Sequence, residues 1–332
     1  MRMVTTKYIL KKILFFFIAI AILMSALLSY VIATRHKGVS PSGSVVNAFY
    51  KVVKPKNFLQ SMLDNPNRID VALAPSNWFA AKYEISYKNL NGDELITASA
   101  TDHNDIHLIY LHGGAYILGK EGMENREQVI GRLIENTKAK VTFFDYPVAP
   151  ESQYEETLEA MERAYHYLLN TYPNDRFMMI GDSAGGGLAL SFSQMIKDRS
   201  IKQPEKLILY SPWLDLSMTN PEIEPLESYD MLLPKEALID AATKYAGADD
   251  LKNPLVSPIY GDFNDQGEIL MLYGTHELFY ADALKLEEMA IEHNYNITFK
   301  FYTEMQHVWI LFPIREANQA FQETYDFILN DG

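Results

Sequence analysis

The sequence contains a serine, a carboxylate and a histidine whose types and order suit nucleophilic catalysis. Ser183 lies in a Gly-Asp-Ser-Ala-Gly pentapeptide at residues 181–185, and Glu277 and His307 follow it along the chain. Glycines beside the serine permit a sharp turn from a strand into a helix, which leaves the hydroxyl exposed at the sheet edge. A histidine can then take the hydroxyl proton, and a carboxylate can orient the histidine. We therefore expect Ser183, Glu277 and His307 to form a catalytic triad.

The histidine and the acid are selected by their positions. Of the eight histidines, only His307 follows the last predicted strand, where a loop can return the imidazole to the serine. Glu277 lies three residues after Gly274, which ends a predicted strand. Asp282 falls near the start of the next predicted helix, where a carboxylate would cap the helix or balance its dipole. Either carboxylate could orient the histidine, so Asp282 is the alternative acid.

A second motif suits the stabilisation of a negatively charged intermediate. Residues 112–115 read His-Gly-Gly-Ala and directly follow an apolar stretch at residues 106–111. Backbone N–H groups at the end of a strand can point at an oxyanion, and the N–H after a nucleophile on such a turn completes the hole. We expect the oxyanion hole to be formed by Gly113, Gly114 and Ala184.

The elements that must position these residues are read from the apolar runs. Strands are predicted at residues 83–87, 94–98, 107–111, 141–146, 177–181, 207–211, 269–273 and 298–302. Helices are predicted at residues 125–135, 154–169, 188–197, 281–292 and 314–329. This alternation is typical of a mostly parallel sheet covered by helices, that is, of the α/β class.

The chain resembles the bacterial members of the hormone-sensitive-lipase family of esterases. The motifs that carry the resemblance lie at residues 110–116, 145–151, 181–186, 211–215, 274–277 and 305–307. The resemblance implies an α/β-hydrolase fold, with an eight-stranded sheet, helices on both faces and a helical cap. It also implies that Glu277 is the catalytic acid and that His112 braces its loop.

Two positions depart from the family pattern. Ala115 stands where the family usually has a third glycine, and residues 147–148 are Pro-Val instead of Arg-Leu. Ala115 keeps its N–H, so we expect the oxyanion hole to survive provided that this residue need not adopt a positive φ. The resemblance still implies a serine carboxylesterase acting through an acyl-enzyme on short to medium acyl esters. An amidase or peptidase of the same fold, and a non-catalytic receptor or scaffold, are the alternatives.

The amino-terminal part of the chain predicts a membrane anchor. Residues 13–33 form an apolar run whose polar side chains are Ser25, Ser29 and Tyr30, preceded by four basic residues. A helix of that length crosses a hydrocarbon core of about 30 Å. Residues 31–33 would also suit cleavage of a signal peptide, although such peptides have shorter apolar regions. The basic excess before the run places the catalytic domain outside the cytoplasm, and cleavage would make the protein secreted.

Charge and composition limit the partners. The first 63 residues contain nine of the 29 basic residues and no acid, so the remainder carries 20 basic against 43 acidic residues. Such an acidic surface disfavours nucleic acid, and an ester substrate and membrane lipid are the expected partners. The chain has no cysteine and no metal-binding motif, so no cofactor or metal is expected. The expected organisation is an anchor at 1–37, a juxtamembrane and cap segment at 38–80, and a catalytic domain at 81–332 with a cap insertion at about 214–250.

Overall fold

The computed structural model describes residues 38–53, 55–64, 74–119 and 123–330. The predicted anchor at residues 13–33 lies outside these ranges. Eight strands form one sheet, which confirms the predicted strands, with small shifts of their ends. They are β1 (Glu84–Leu90), β2 (Asp93–Ser99), β3 (Ile106–Leu111), β4 (Lys140–Asp145), β5 (Arg176–Asp182), β6 (Lys206–Tyr210), β7 (Glu268–Gly274) and β8 (Ile297–Tyr302).

The sheet is mostly parallel and has the order β1-β2-β4-β3-β5-β6-β7-β8. β1 pairs with β2, and β2 with β4, in antiparallel registers. All the other neighbours are parallel. Because parallel strands end at the same edge, the carboxyl ends of β3, β5 and β7 bring the loops that follow them together.

Helices cover both faces of the sheet, as predicted. They are α1 (Pro41–Val53), α2 (Pro55–Asp64), α3 (Asn77–Lys82), α4 (Met123–Thr137), α5 (Tyr154–Thr171), α6 (Ala184–Asp198), α7 (Ile223–Leu226), α8 (Lys235–Ala246), α9 (Tyr280–His293) and α10 (Arg315–Leu329). Short 3₁₀ turns lie at Pro258–Tyr260 and Trp309–Leu311.

The core is divided into two layers by the sheet. Along β3, Ile109 and Leu111 belong to the layer that contains buried residues of α5, α6 and α9. Leu108 and Tyr110 belong to the opposite layer, which contains buried residues of α4 and α10. All four side chains are buried, since successive side chains of a strand point to opposite faces and both faces are covered.

The amino-terminal helices contact the rest of the molecule at two places. Ser40, just before α1, donates its backbone N–H and its hydroxyl to Glu316 of α10, at 2.5 and 2.7 Å. Helix α2 packs against α8 in the predicted cap insertion. Within the described ranges, we find no helix with the length and apolar character needed to cross a bilayer.

Candidate active site

Ser183 lies on a sharp turn between β5 and α6. Its backbone has φ 56° and ψ −122°, a conformation that an L-residue adopts only at a cost. A Cβ at Gly181 would stand 2.4 Å from the backbone oxygen of Gly185, and a Cβ at Gly185 would stand 2.1 Å from that of Leu111. The turn is therefore possible only because glycines flank the serine.

His307 joins Ser183 to Glu277. Its Nε2 lies 2.8 Å from the Ser183 hydroxyl oxygen, and its Nδ1 lies 2.5 Å from Oε2 of Glu277. The structure thus brings together the three residues predicted as the triad. Glu277 is fully buried and His307 is 4% exposed, so water has little access to the bond between them. Such shielding strengthens the electrostatic interaction of a carboxylate with an imidazolium.

The loops that carry the acid and the histidine are fixed against each other. The other carboxylate oxygen of Glu277 accepts the N–H of Gly274 at 2.8 Å. The N–H of His276 donates to the carbonyl of Met305 at 3.1 Å, which joins the loop after β7 to the loop after β8. The Phe279 ring meets the imidazole of His307 edge to face, with centroids 5.0 Å apart. The orientation of the imidazole is therefore set from three sides.

Asp282, the alternative acid, lies elsewhere. It is a buried residue in the first turn of α9, and its Oδ1 accepts a hydrogen bond from the Asn220 side chain at 2.9 Å. Burial, together with the negative charge of Asp215, raises the pKa of Asp282 to about 7. Its position near the start of the helix is the one read from the sequence, but its hydrogen bond is to Asn220 and not to His307.

The oxyanion loop differs from the prediction at Gly113. The N–H of Gly113 donates to Oδ2 of Asp182 at 3.0 Å, so it is not free to bind an oxyanion. Asp182 is buried, accepts the Tyr110 hydroxyl at 2.7 Å and lies 3.5 Å from the Arg126 guanidinium. A buried carboxylate needs such donors, and Gly113 is one of them.

Three other N–H groups of this loop and of the turn after Ser183 have no hydrogen-bond partner among the described residues. Among the residues described, those of Gly114, Ala115 and Ala184 donate no hydrogen bond. The N–H of Ala184 is unpaired because it opens helix α6, whose first N–H groups have no acceptor within the helix. These three groups, two of which were predicted, are available to an oxyanion.

Ala115 does adopt a positive φ. Its φ is 55°, and that of the next residue, Tyr116, is 58°. A left-handed backbone costs an alanine roughly 1–2 kcal/mol. The ring of Tyr116 offsets this cost, because it is buried and stacks on Tyr245 with centroids 3.9 Å apart. The loop thus keeps the glycine-type conformation although the third glycine is missing.

His112 braces the oxyanion loop. Its ring stacks on that of Tyr146 at 4.2 Å, and its Nδ1 lies 2.9 Å from the carbonyl oxygen of Gly113. Burial and the nearby Arg126 guanidinium lower the pKa of His112 to about 4, so the ring is neutral at pH 7. Arg126 itself donates to the Gly113 carbonyl at 2.9 Å. No spacing in the sequence indicated Arg126, since only the fold brings α4 to this loop.

The polar groups near the site show no arrangement for a metal. Over the described residues, no group of three or more His, Asp or Glu side chains is placed to bind one.

Comparison with known proteins agrees with this architecture. A sequence model of the alpha/beta hydrolase fold family matches residues 108–311. The chain is 32% identical over 278 residues to an esterase of Acinetobacter venetianus. The aligned region covers 82% of this chain and 88% of the relative. It is 32% identical over 203 residues to an acetyl-hydrolase of Streptomyces hygroscopicus, and this aligned region covers 61% of this chain and 67% of the relative.

A solved structure extends the agreement to three dimensions. The crystal structure of a hormone-sensitive-lipase homologue from a metagenome library has a TM-score of 0.72 to this chain at 25% identity, covering 85% of this chain and 96% of the other. The match of the family over more than half of the chain, together with these relatives, decides the family. The chain belongs to the alpha/beta hydrolase fold family, and its similarity to an esterase and to a hormone-sensitive-lipase homologue gives it parallels among bacterial ester hydrolases.

Proposed function

We propose that this serine ester hydrolase cleaves carboxylic esters through an acyl-enzyme formed on Ser183. The observation that carries the proposal is the unbroken chain of hydrogen bonds from Glu277 through His307 to the Ser183 hydroxyl, with distances of 2.5 and 2.8 Å. In this arrangement the imidazole is placed to take the hydroxyl proton, and the carboxylate is placed to stabilise the resulting imidazolium.

The proposed reaction proceeds in two halves. The Ser183 oxygen attacks the ester carbonyl while its proton passes to Nε2 of His307, and the carbonyl electron pair moves onto the oxygen. We assign the stabilisation of that oxyanion to the N–H groups of Gly114, Ala115 and Ala184. Collapse of the intermediate expels the alcohol, which receives the proton from His307. Water, activated by the same imidazole, then attacks the acyl-enzyme and releases the acid.

The alternatives have less support. An amidase or peptidase would use the same triad, but the relatives reported above are named as an esterase and an acetyl-hydrolase. A non-catalytic receptor would have no need to keep the strained backbone of Ser183 or the hydrogen bonds from Glu277 to His307. We therefore retain ester hydrolysis as the function.

Short to medium acyl groups are the proposed substrates, because buried aromatic rings fill the space behind the nucleophile. The backbone N–H of Trp213 donates to the carbonyl of Ser183 at 3.0 Å. The Trp213 ring is fully buried and stacks on Phe279, with centroids 5.5 Å apart. We infer from these close-packed rings that the acyl group of the substrate has space of limited depth.

We expect p-nitrophenyl esters with acyl chains of about two to eight carbons to give the highest kcat/KM, because a pocket of finite depth rejects longer chains. Initial rates across a graded series of chain lengths measure this, with the Ser183→Ala variant as the background at each length. A maximum at about sixteen or eighteen carbons would show a true lipase and contradict the pocket proposed here.

Residues 1–37 are proposed to anchor the enzyme in a membrane, with the 38–80 segment joining the anchor to the 81–332 domain. Helix α1, which follows the apolar run, turns apolar side chains to solvent: Val45, Phe49, Val52 and Val53 are 40%, 54%, 78% and 51% exposed. The exposed Lys51 lies among them. An exposed apolar stripe that includes a basic side chain suits the surface of an anionic bilayer.

The full chain is expected to remain in the membrane fraction through salt and carbonate washing, as an integral helix does. Removal of residues 1–37 should release an active enzyme, since the eight described strands and the proposed triad lie later in the chain. Protease added to intact cells should digest the catalytic domain. Recovery of a native protein beginning at Thr34 would show a cleaved signal peptide. Protection in intact but not in lysed cells would place the domain in the cytoplasm.

A further inference from the structure

Asp230 is a buried acid that the proposed reaction does not use. It lies in the connection between α7 and α8 and is 3% exposed. Its Oδ1 accepts the N–H groups of Leu232 and Leu233, both at 2.7 Å, and its Oδ2 accepts the N–H of Leu278 at 2.8 Å. Leu278 directly follows Glu277. Asp230 therefore joins the cap insertion to the loop that carries the proposed acid.

Gln306 forms a second connection to the same part of the cap. Its Oε1 accepts the N–H of Met231 at 2.8 Å, and its Nε2 donates to the carbonyl of Tyr229 at 3.0 Å. Gln306 directly precedes His307 and is 2% exposed. Residues 229–233 thus hold the acid loop through one buried side chain and the histidine loop through another.

The charge of Asp230 also reaches the imidazole. Burial raises the pKa of Asp230 above its usual value, whereas its backbone N–H bonds and the positive charge of His307 act in the opposite direction. Among the described residues, the titratable groups that interact with the charge of Asp230 include His307 and Tyr50 of α1, while Glu277 lies one residue before Leu278 on the adjoining loop. Burial, and to a smaller degree the charge of Asp230, raise the pKa of Tyr50, which is therefore neutral at pH 7.

We propose that Asp230 is a positioning residue for the triad: it holds the Glu277 loop through Leu278 and, as a carboxylate, stabilises the imidazolium of His307. This inference rests on the proposed triad. The three N–H donors around Asp230 are the partners that a buried carboxylate requires. Since residues 229–233 contact both loops, correct seating of the cap and assembly of the triad are coupled. Gln306 contributes to the same coupling through its hydrogen bonds to Met231 and Tyr229.

Asp230→Asn removes the charge and one acceptor while keeping the volume of the side chain. We expect kcat to fall by about 10- to 100-fold, with KM changing less than about threefold, because a misplaced acid loop affects the chemical step. In a plot of kcat against pH, the rise on the acidic side (the acid limb) should move to lower pH by roughly half a unit or more, since the imidazolium loses a nearby negative charge. Asp240→Asn, an exposed change on α8, should alter neither quantity.

Gln306→Leu gives an independent test that does not depend on the folding of Asp230→Asn. This variant loses both bonds to residues 229–233 without any change of charge, so kcat should fall by about tenfold while the acid limb keeps its position. Full-chain variants would be compared by steady-state kinetics between about pH 5 and 9, with thermal unfolding measured in parallel.

Two outcomes would overturn the proposal. One is a folded Asp230→Asn variant with wild-type kcat and an unmoved acid limb. The other is an unchanged kcat in Gln306→Leu. Both are distinguishable from a failure of the triad itself, because in that case Ser183→Ala would remain active. If Ser183→Ala is inactive and the Asp230 and Gln306 variants behave as wild type, only the positioning role is wrong.

Discussion

Replacement of Ser183 by alanine is expected to abolish ester hydrolysis, with a fall in turnover on the order of 10⁶-fold. The hydroxyl oxygen is 2.8 Å from Nε2 of His307 and stands on a turn that only flanking glycines permit. No other group in this arrangement can form the acyl-enzyme. Hydrolysis of p-nitrophenyl butyrate by the purified variant measures the effect, and residual activity within tenfold of the parent would remove Ser183 from the mechanism.

A neighbouring serine offers a matched control for this variant. Ser191 lies two turns further along α6, is buried, and its hydroxyl has no hydrogen-bond partner in the described structure. Ser191→Ala removes a buried serine hydroxyl from the helix that follows Ser183, so we expect activity close to that of the parent. A loss of activity in both variants would point to damage of the helix instead of loss of the nucleophile.

Glu277→Gln is expected to lower turnover by about 10⁴-fold, as an amide in place of a triad carboxylate disturbs the histidine tautomer and removes the charge that stabilises the imidazolium. Glu277 contacts Nδ1 of His307 with one oxygen and the Gly274 N–H with the other. The change keeps the size of the side chain. The kcat of the purified variant, with its unfolding temperature as a check on folding, measures the effect.

Asp282→Asn separates the two candidate acids. Because Asp282 is hydrogen-bonded to Asn220 and its pKa is raised to about 7, a fraction of it is already neutral near pH 7. Turnover of the Asp282→Asn variant should therefore fall by less than about tenfold, because Asp282 does not contact the reacting groups. The reverse ranking of the two variants would transfer the role of the acid to Asp282.

The inner strands of the sheet could be predicted from the sequence because they are buried on both faces. Stretches such as residues 177–181 and 269–273 are almost entirely apolar, and their order with the intervening helices indicates parallel pairing. The turn at Ser183 could also be predicted, since the steric need for Gly181 and Gly185 is local. Each of these features depends on residues close together in the chain.

The conformation of the oxyanion loop was harder to predict from the sequence. The motif identified the loop, but which N–H groups are free depends on backbone angles and on a distant carboxylate. Asp182 takes the N–H of Gly113, and the positive φ of Ala115 accompanies an unpaired N–H at that residue. Neither effect leaves a pattern in the residues of the loop itself.

The contacts of residues 229–233 with the two catalytic loops could not be predicted from the sequence. Asp230 is 48 residues from Leu278, and Gln306 is 75 residues from Met231. Nothing in their local sequence distinguishes Asp230 from the exposed acids of the same region, such as Asp240. Only the folded chain shows that one of them is buried beside the loop of Glu277.

Covalent labelling of the nucleophile tests the central claim most directly. A fluorophosphonate ester reacts with a serine activated by a neighbouring imidazole, and the phosphonyl group remains on the oxygen. The account predicts one phosphonyl group per chain, located by mass spectrometry on the peptide that contains Ser183, with loss of ester hydrolysis in proportion to labelling. The label should be absent from Ser183→Ala and present in Ser191→Ala. Labelling at another residue, or full hydrolysis by a chain that takes up no label, would contradict the account.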